Sequence, residues 1–268
     1  MWVPLSGAIA QQRQIETIAN NVANANTTGF KKDSLVFKEY LSALDKGHNE
    51  IDLPNKEFAP SDFYKSYGAE NSFVKVDGNY TDFTQGPLQS TSNPFDFGIQ
   101  GEGFFEVLTP NGVRFTRKGA FSLNRDSILV NSDGFPVLSK FDRQADAAVP
   151  GPENRVLKIE GGKISVNMEG DIFINDVKSN TLSVIEFKDR SALLKEGSSN
   201  FINKYPDNIK SEDISSTVNQ GFLESSNVNP IAEMSNLIKA HRHFESIQKA
   251  IKTYDTISSR AVNEITKF

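Results

Sequence analysis

The segment "NNVANANTTGFKK", residues 20–32, places four asparagines within seven positions and ends in Thr-Thr-Gly-Phe-Lys-Lys. Upstream of it, Ile15, Ile18 and Val22 recur at steps of three and four residues, the spacing of one face of an α-helix. Asparagine amides readily bond the backbone groups that are left over where a helix ends. Gly29 permits a positive φ in the exit turn. The segment therefore predicts the end of an N-terminal helix and a sharp departure of the chain from it.

A second, longer helix is predicted at the other end of the chain, from Pro230 to residue 268. Asn229 followed by Pro230 is a favourable N-cap and first-turn pair. Apolar or small residues then recur at alternating steps of three and four: Leu237, Ala240, Phe244, Ile247, Ile251, Tyr254, Ser258, Ala261 and Ile265. Such a narrow seam is typical of coiled coils. Because the short N-terminal helix is marginally stable alone in water, we expect the two terminal helices to pair.

Between the helices the sequence is punctuated by turns. Asn111-Gly112, Asp133-Gly134, Gly161-Gly162 and Glu169-Gly170 separate short β-rich runs, a pattern that predicts hairpins. The predicted fold is α+β: long N- and C-terminal helices pairing as a coiled-coil-like bundle, with a central, mainly antiparallel β-domain. The expected divisions are residues 1–33 (N-terminal helix), 34–75 (extended, partly irregular arm), 76–225 (β-rich domain) and 226–268 (C-terminal helix).

Composition excludes several classes of function. The formal net charge of −5 and the interspersed charges leave no basic stripe for nucleic acid. The absence of cysteine rules out disulfides, thiol catalysis and cysteine-based zinc sites. No run approaches the roughly 18 apolar residues of a membrane helix, and the start lacks the pattern of a cleavable signal peptide. We therefore expect neither membrane insertion nor signal-peptide cleavage.

No catalytic, metal or cofactor site emerges from the residues. His241 and His243 are two residues apart on the predicted helix, so their side chains diverge and cannot share a metal. The glycine-rich "GIQGEGF" at 98–104 lacks the following helix that a phosphate-binding loop needs, and is predicted to be a turn entering a strand. "DGNYTD" at 77–82 lacks the glycine and glutamate of a calcium-binding loop. The chain is expected not to be an enzyme and to need no cofactor.

Three segments, in order along the chain, resemble the flagellar rod and hook protein family of bacteria. The first is the opening segment, through Asn20, Asn21, Ala23, Asn24, Thr27, Gly29, Phe30 and Lys31. The second is "NPFDFGIQGEGFFEVLTPNGVRFTRKGAF", through Asp96, Ile99, Gly101, Gly103, Phe104, Phe105, Phe115, Thr116, Arg117 and Gly119. The third is "LESSNVN", through Leu223, Glu224, Ser226, Asn227, Val228 and Asn229.

The resemblance implies a structural subunit of the basal-body rod, in the periplasmic space, that transmits motor torque to the hook. It implies export by the flagellar type III apparatus, and helical assembly with copies of itself and with neighbouring rod proteins. The Asn229-Pro230 opening and the "RHFE" stretch at 242–245 favour a proximal over a distal rod position. The alternatives are a distal subunit, or a monomeric β-domain that acts as a binding or adhesin module with its helices packed in cis.

The expected subunit interface lies on the terminal helices and their junctions. It consists of Ile15, Ile18, Asn21, Val22, Asn24, Phe30, Leu237, Phe244, Ile247, Ile251, Tyr254, Ala261 and Ile265.

Overall fold

The computed structural model describes residues 2–43, 70–140, 151–197, 199–210 and 214–265. The chain divides into two compact units. The helical unit comprises Met1–Asn20, Ser34–Tyr80 and Ile231–Phe268, and the β-unit comprises Asn21–Asp33 and Thr81–Pro230. Each unit is thus built from segments that are distant in the sequence.

Both predicted terminal helices are present. Helix α1 spans Trp2–Ala23 and helix α2 spans Pro230–Ile265. With 36 residues, α2 is about 54 Å long at 1.5 Å per residue. Within the helical unit, Cδ1 of Ile247 lies 4.0 Å from the place that a Cβ would take at Gly7. A glycine in α1 therefore leaves room for an aliphatic side chain of α2.

The helical unit also contains a two-stranded sheet. Strand β1 spans Asp33–Ala43 and strand β2 spans Glu70–Thr81, and the two strands are paired. The predicted arm at 34–75 is thus β-structure wherever it is described, and the rest of the arm lies outside the described residues. Val36, Val74 and Tyr80 are exposed on this ribbon.

The β-unit is made of short strands joined by tight turns. Its strands are β3 (Leu88–Ser90), β4 (Phe97–Gln100), β5 (Phe104–Thr109), β6 (Gly112–Thr116), β7 (Phe121–Leu123), β8 (Leu129–Asn131), β9 (Ile164–Val166), β10 (Asp171–Ile174), β11 (Val177–Thr181), β12 (Val184–Ile185), β13 (Leu193–Glu196), β14 (Asn200–Asn203), β15 (Thr217–Gln220) and β16 (Phe222–Glu224).

These strands form small antiparallel sheets. The largest has the order β12-β5-β6-β14-β13, and a second has the order β11-β10-β9. Three further pairs are β15-β4, β16-β3 and β7-β8. The protein is therefore α+β, with terminal helices and antiparallel sheets.

Three of the four predicted hairpin turns are present: Gly112 lies at the turn between the paired strands β5 and β6, Gly170 lies between β9 and β10, and Gly134 lies in a turn closed by the Val130–Pro136 bridge. Gly161 and Gly162 also have positive φ, but their turn leads into β9, which pairs with β10 and not with the segment before the turn.

Strand β5 separates two hydrophobic clusters. Phe104 and Phe105 are both fully buried, and since successive residues of a strand face opposite sides, each belongs to a different cluster. Phe104 packs with Phe83, Phe187 and Phe201 at ring-centroid distances of 5.6–5.9 Å. A strand buried on both faces explains why "FFEVL" lacks the polar alternation of a surface strand.

Candidate functional site: the junction cluster and the helix faces

Asn21, in the last turn of α1, is tied to the start of β1. Its Nδ2 donates to the Asp33 carbonyl at 2.8 Å, and the Asp33 N–H donates to its Oδ1 at 3.0 Å. Only 1% of Asn21 is exposed, and both functional groups of its amide are used within the chain. Asn24, by contrast, is only partly buried, and its Oδ1 accepts from the Thr27 hydroxyl at 3.1 Å.

Gly29 and Phe30 fix the path of the chain after α1. Gly29 has a φ of 67° and its N–H donates to the Glu224 carbonyl at 2.8 Å. A Cβ at Gly29 would lie 2.5 Å from the carbonyl carbon of Arg117, so a larger residue does not fit. Phe30 is fully buried, and the Lys195 ammonium lies 3.9 Å from its ring centroid, a cation–π contact. Phe30 is therefore an anchor inside the β-unit.

Three buried charges of the β-unit meet at one place. Lys31 Nζ donates to Glu224 Oε1 at 2.6 Å, and Arg117 Nη1 donates to Glu224 Oε2 at 3.3 Å. Each of these side chains is 1% exposed. We call Lys31, Arg117 and Glu224 the junction cluster. Its members come from the three sequence segments described above, so the tertiary structure brings those segments together.

Backbone groups complete the junction cluster. Lys31 Nζ also donates to the Thr84 carbonyl at 2.7 Å, and Arg117 Nη2 donates to the Gly101 carbonyl at 2.6 Å. The N–H of Gly86 donates to Glu224 Oε1 at 3.0 Å. The carboxylate thus accepts three hydrogen bonds, which is how a buried charge is accommodated in a protein interior.

Burial dominates the electrostatics of these cations. Loss of solvent lowers the pKa of Lys31 and of Arg117, although the Glu224 carboxylate opposes that shift in both. The same balance applies to Lys195, whose pKa is lowered by burial against the opposing effect of Asp33. With two cations and one anion, the junction cluster depends on Glu224 as its shared counter-charge.

A second set of contacts joins the same segments nearby. Lys195 Nζ donates to Asp33 Oδ2 at 2.8 Å and to the Lys31 carbonyl at 2.7 Å. Asn227 Oδ1 accepts from the Lys32 N–H at 2.8 Å, while its Nδ2 donates to the Asp82 carbonyl at 2.9 Å. Sequence reasoning missed Lys195, because nothing local to that residue signals partners that lie 162 and 164 positions away.

The expected interface residues on α1 and α2 differ in burial. Ile18 is buried, whereas Ile15 and Val22 are half-buried. On α2 the half-buried seam residues are Leu237, Phe244, Ile247 and Ile251. Farther along the same helix Tyr254 and Ala261 are exposed, and the side chain of Ile265 lies outside the described residues.

Both helices also carry large apolar side chains that the single chain leaves in contact with solvent. These are Leu5 and Ile9 on α1, and Ile231, Met234, Ile238, Tyr254, Ile257 and Val262 on α2, each between 44% and 78% exposed. Scattered exposed apolar residues are ordinary, but contiguous apolar faces mark interaction surfaces. The exposed faces of α1 and α2 are therefore the candidate assembly surface.

The glycine-rich and acidic motifs have structural roles. "GIQGEGF" leads into β5, as predicted, and the N–H of Gly103 donates to the Ser216 hydroxyl at 2.8 Å. "DGNYTD" lies mostly within β2 instead of a loop. Among the described residues, no group of histidines and acidic side chains is arranged to hold a metal ion. Within the same residues, no helix is long and apolar enough to cross a membrane.

Comparison with known proteins places the chain. Family models match residues 3–31 ("Flagella basal body rod protein"), 98–174 ("Flagellar hook protein FlgE/F/G D1 domain") and 219–264 ("Flagellar basal body rod FlgEFG protein C-terminal"). The FlgF rod protein of Caulobacter vibrioides is 31% identical over 270 residues, covering 100% of this chain and 98% of the relative. The chain belongs to the flagellar basal-body rod protein family.

Other rod proteins are similar over comparable lengths. FlgF of Mesorhizobium japonicum is 29% identical, covering 99% of this chain and 97% of its own length. FlgG of Borreliella burgdorferi is 30% identical, with 98% and 97% covered. Rod proteins of both types thus align end to end with this chain. It is a structural, non-enzymatic component of the basal-body rod, which assembles with other rod components.

Proposed function

We propose that this rod protein assembles helically through its terminal helices, which pair as a coiled-coil-like bundle and form an inner tube that carries torque to the hook. The observation that supports this proposal is the pair of exposed apolar faces on α1 and α2. Burying one large aliphatic side chain contributes about 1.5–3 kcal/mol. Several such side chains per subunit suffice to hold neighbouring helices together lengthwise, which resists slippage under torque.

The proposed interface keeps the half-buried and exposed residues of the helices: Ile15, Val22, Asn24, Leu237, Phe244, Ile247, Ile251, Tyr254, Ala261 and Ile265. Asn21, Ile18 and Phe30 are buried in the single chain, so we propose that they support the interface from within. The predicted divisions at 1–33, 34–75, 76–225 and 226–268 are proposed as inner helix, arm, outer β-domain and inner helix.

Ile238→Asp tests this assembly surface, because Ile238 is 56% exposed and we therefore expect its replacement to leave the folding of the single chain intact. Gln248→Asp adds the same charge at an exposed polar position of α2. We expect basal bodies from the Ile238→Asp strain to lack the subunit and the Gln248→Asp strain to swim normally. Normal rods in both strains would contradict assembly through this face.

We further propose a proximal, FlgF-type position in the rod, supported by the Asn229-Pro230 opening, the "RHFE" stretch and the FlgF relatives. The chain should then restore motility to Caulobacter vibrioides cells that lack FlgF and leave cells that lack FlgG non-motile. The opposite pattern would assign it to the distal rod.

Export is the remaining element of the proposal. We propose that the subunit reaches the periplasmic space unfolded, through the flagellar type III apparatus and without signal-peptide cleavage. Cells without that apparatus should retain the full-length chain in the cytoplasm. Recovery of a shortened chain from the periplasm of such cells would contradict this route.

A further inference from the structure

The residues that complete the β-unit come last along its chain. We call residues 217–227 the closing segment: within it, β15 pairs with β4 and β16 pairs with β3. Its Val218 is 2% exposed in the hydrophobic cluster that contains Phe105, and the Ser225 N–H donates to the Pro87 carbonyl at 2.9 Å. Strands β3 and β4 therefore lack these antiparallel partners until the closing segment is in place.

The junction cluster divides its charges in the same way. Its two cations, Lys31 and Arg117, lie early in the chain, whereas its anion Glu224 lies in the closing segment, 193 and 107 positions later. Among the described residues, Glu224 is the one carboxylate to which either cation donates a hydrogen bond. A compact β-unit without the closing segment would thus bury two cations and no hydrogen-bonded anion.

Burying these cations is costly even in the finished fold. All three side chains of the cluster are 1% exposed, and loss of solvent lowers the pKa of Lys31 and Arg117 although Glu224 opposes the shift. A buried ionic cluster contributes little net stability, because the attraction between its charges serves mainly to offset their desolvation. Apolar side chains of similar volume can replace such a cluster without loss of stability, and can speed folding. The cluster is therefore better placed to control when the β-unit folds than to stabilise it.

We infer that the junction cluster delays folding of the β-unit until the closing segment has docked, and that this delay keeps the chain unfolded long enough for export. This proposal rests on the proposed export route and assigns residues to it. Because proteins are synthesised from the N-terminus, Glu224 appears when the β-unit is complete but for residues 225–230. Contacts between residues 107 and 193 positions apart also form slowly, since a large loop must close first.

Refolding of the full-length chain tests the delay. The variant Lys31→Met/Arg117→Leu/Glu224→Met, called the cluster variant, replaces all three charges by apolar side chains. Refolding after dilution from urea is followed by stopped-flow circular dichroism, and pulsed hydrogen exchange of peptides from β5 assigns the rate to the β-unit. We expect the cluster variant to refold at least about tenfold faster than the wild type, because no cation is then desolvated ahead of its anion.

Two further variants support this comparison. Lys31→Met alone leaves one cation with one anion, and it should speed refolding to a smaller extent. The control Lys210→Met/Glu186→Gln removes another ion pair of the β-unit, whose partners are 24 positions apart and both precede the closing segment. Since neither partner waits for the closing segment, the control should not refold faster than the wild type.

Expression in the native cells tests the link to export. Folding competes with export, so the cluster variant should accumulate in the cytoplasm in a protease-resistant form, and its amount in purified basal bodies should fall several-fold. The control variant should leave the cytoplasm as the wild type does.

Each result supports or overturns a defined part of the inference. Refolding of the cluster variant and of Lys31→Met at the wild-type rate, or more slowly, overturns the delay. If the cluster variant does not fold, Lys31→Met decides, and loss of the folded state in both overturns the delay because apolar side chains must be able to replace the charges. Faster refolding with unchanged export overturns the role in export. A wild-type chain that leaves cells lacking the type III apparatus refutes the proposed route instead, and the refolding result stands.

Discussion

Glu224→Gln is expected to destabilise the β-unit strongly, because Glu224 is the shared counter-charge of the junction cluster. Glutamine has nearly the same shape and can still accept from Lys31 Nζ and from the Gly86 N–H. It carries no charge, however, and when its oxygen keeps those two contacts, its amide N–H₂ faces the Arg117 guanidinium, which is also a donor. Two cations that are each 1% exposed then lack an anion.

The expected magnitude follows from this burial. Breaking a buried ion pair by neutralising one partner costs about 3–5 kcal/mol. For a domain of this size, 1 kcal/mol corresponds to about 2–4 °C in Tm, so the loss amounts to about 10 °C. Glu102→Gln is the matched control, since Glu102 pairs with Arg190 at 2.9 Å but is 58% exposed. An exposed pair of this kind contributes at most about 1 kcal/mol.

Urea unfolding followed by far-UV circular dichroism measures the free energy of unfolding of each variant. Hydrogen exchange of peptides from β5, next to the junction cluster, then shows whether the loss lies in the β-unit. The only tryptophan is Trp2 in α1, so its fluorescence does not report on this region. In the double variant Lys31→Met/Glu224→Gln the loss should be smaller than the sum of the two single losses, since one stranded cation is removed.

A loss for Glu224→Gln no larger than that for Glu102→Gln would refute the reasoning. Additive losses in the double variant would likewise show that Lys31 and Glu224 do not interact in the folded protein.

Three further predictions concern the same unit. Gly29→Ala should lower the free energy of unfolding in urea by at least about 1 kcal/mol more than Gly134→Ala. Both glycines have positive φ, which costs a larger residue about 1–2 kcal/mol, but of the two only Gly29 lacks room for a Cβ. Equal losses in the two variants would contradict the steric argument. Lys195→Met should lower the free energy of unfolding by about 3 kcal/mol, because it leaves the buried Asp33 carboxylate without its cationic partner. An unchanged urea midpoint would contradict this expectation. Burial raises the pKa of Glu186, but hydrogen bonds from two serines and a lysine outweigh it and lower that pKa below 4.5. The contribution of ionised Glu186 to the free energy of unfolding is therefore complete above about pH 4.5, and it is lost as the pH falls through the lowered pKa of the folded protein. Glu186→Gln should flatten this part of the curve of unfolding free energy against pH. An unchanged slope would contradict a lowered pKa for Glu186.

The sequence by itself determined the elements whose signals are local. The helix bounds followed from apolar spacing and from the Asn229-Pro230 start, and the hairpins followed from their glycine dipeptides, because both depend on residues a few positions apart. The requirement for glycine at position 29 was also visible. The extended, partly irregular arm at 34–75 stays a prediction, but the pairing of β1 with β2 was not predicted, since the two strands are separated by a long stretch of intervening chain and neither shows a clean period.

Only the tertiary structure decided what the motif residues do. The place of Asn21 at a subunit interface stays a prediction, but the structure adds that its amide bonds Asp33 within the chain. Lys31 and Glu224 are 193 positions apart in sequence and 2.6 Å apart in space. Periodicity describes the neighbourhood of one segment, whereas the partner of a buried charge is set by the path of the whole chain. The sequence alone therefore identified the junction residues but could not show that they neutralise one another.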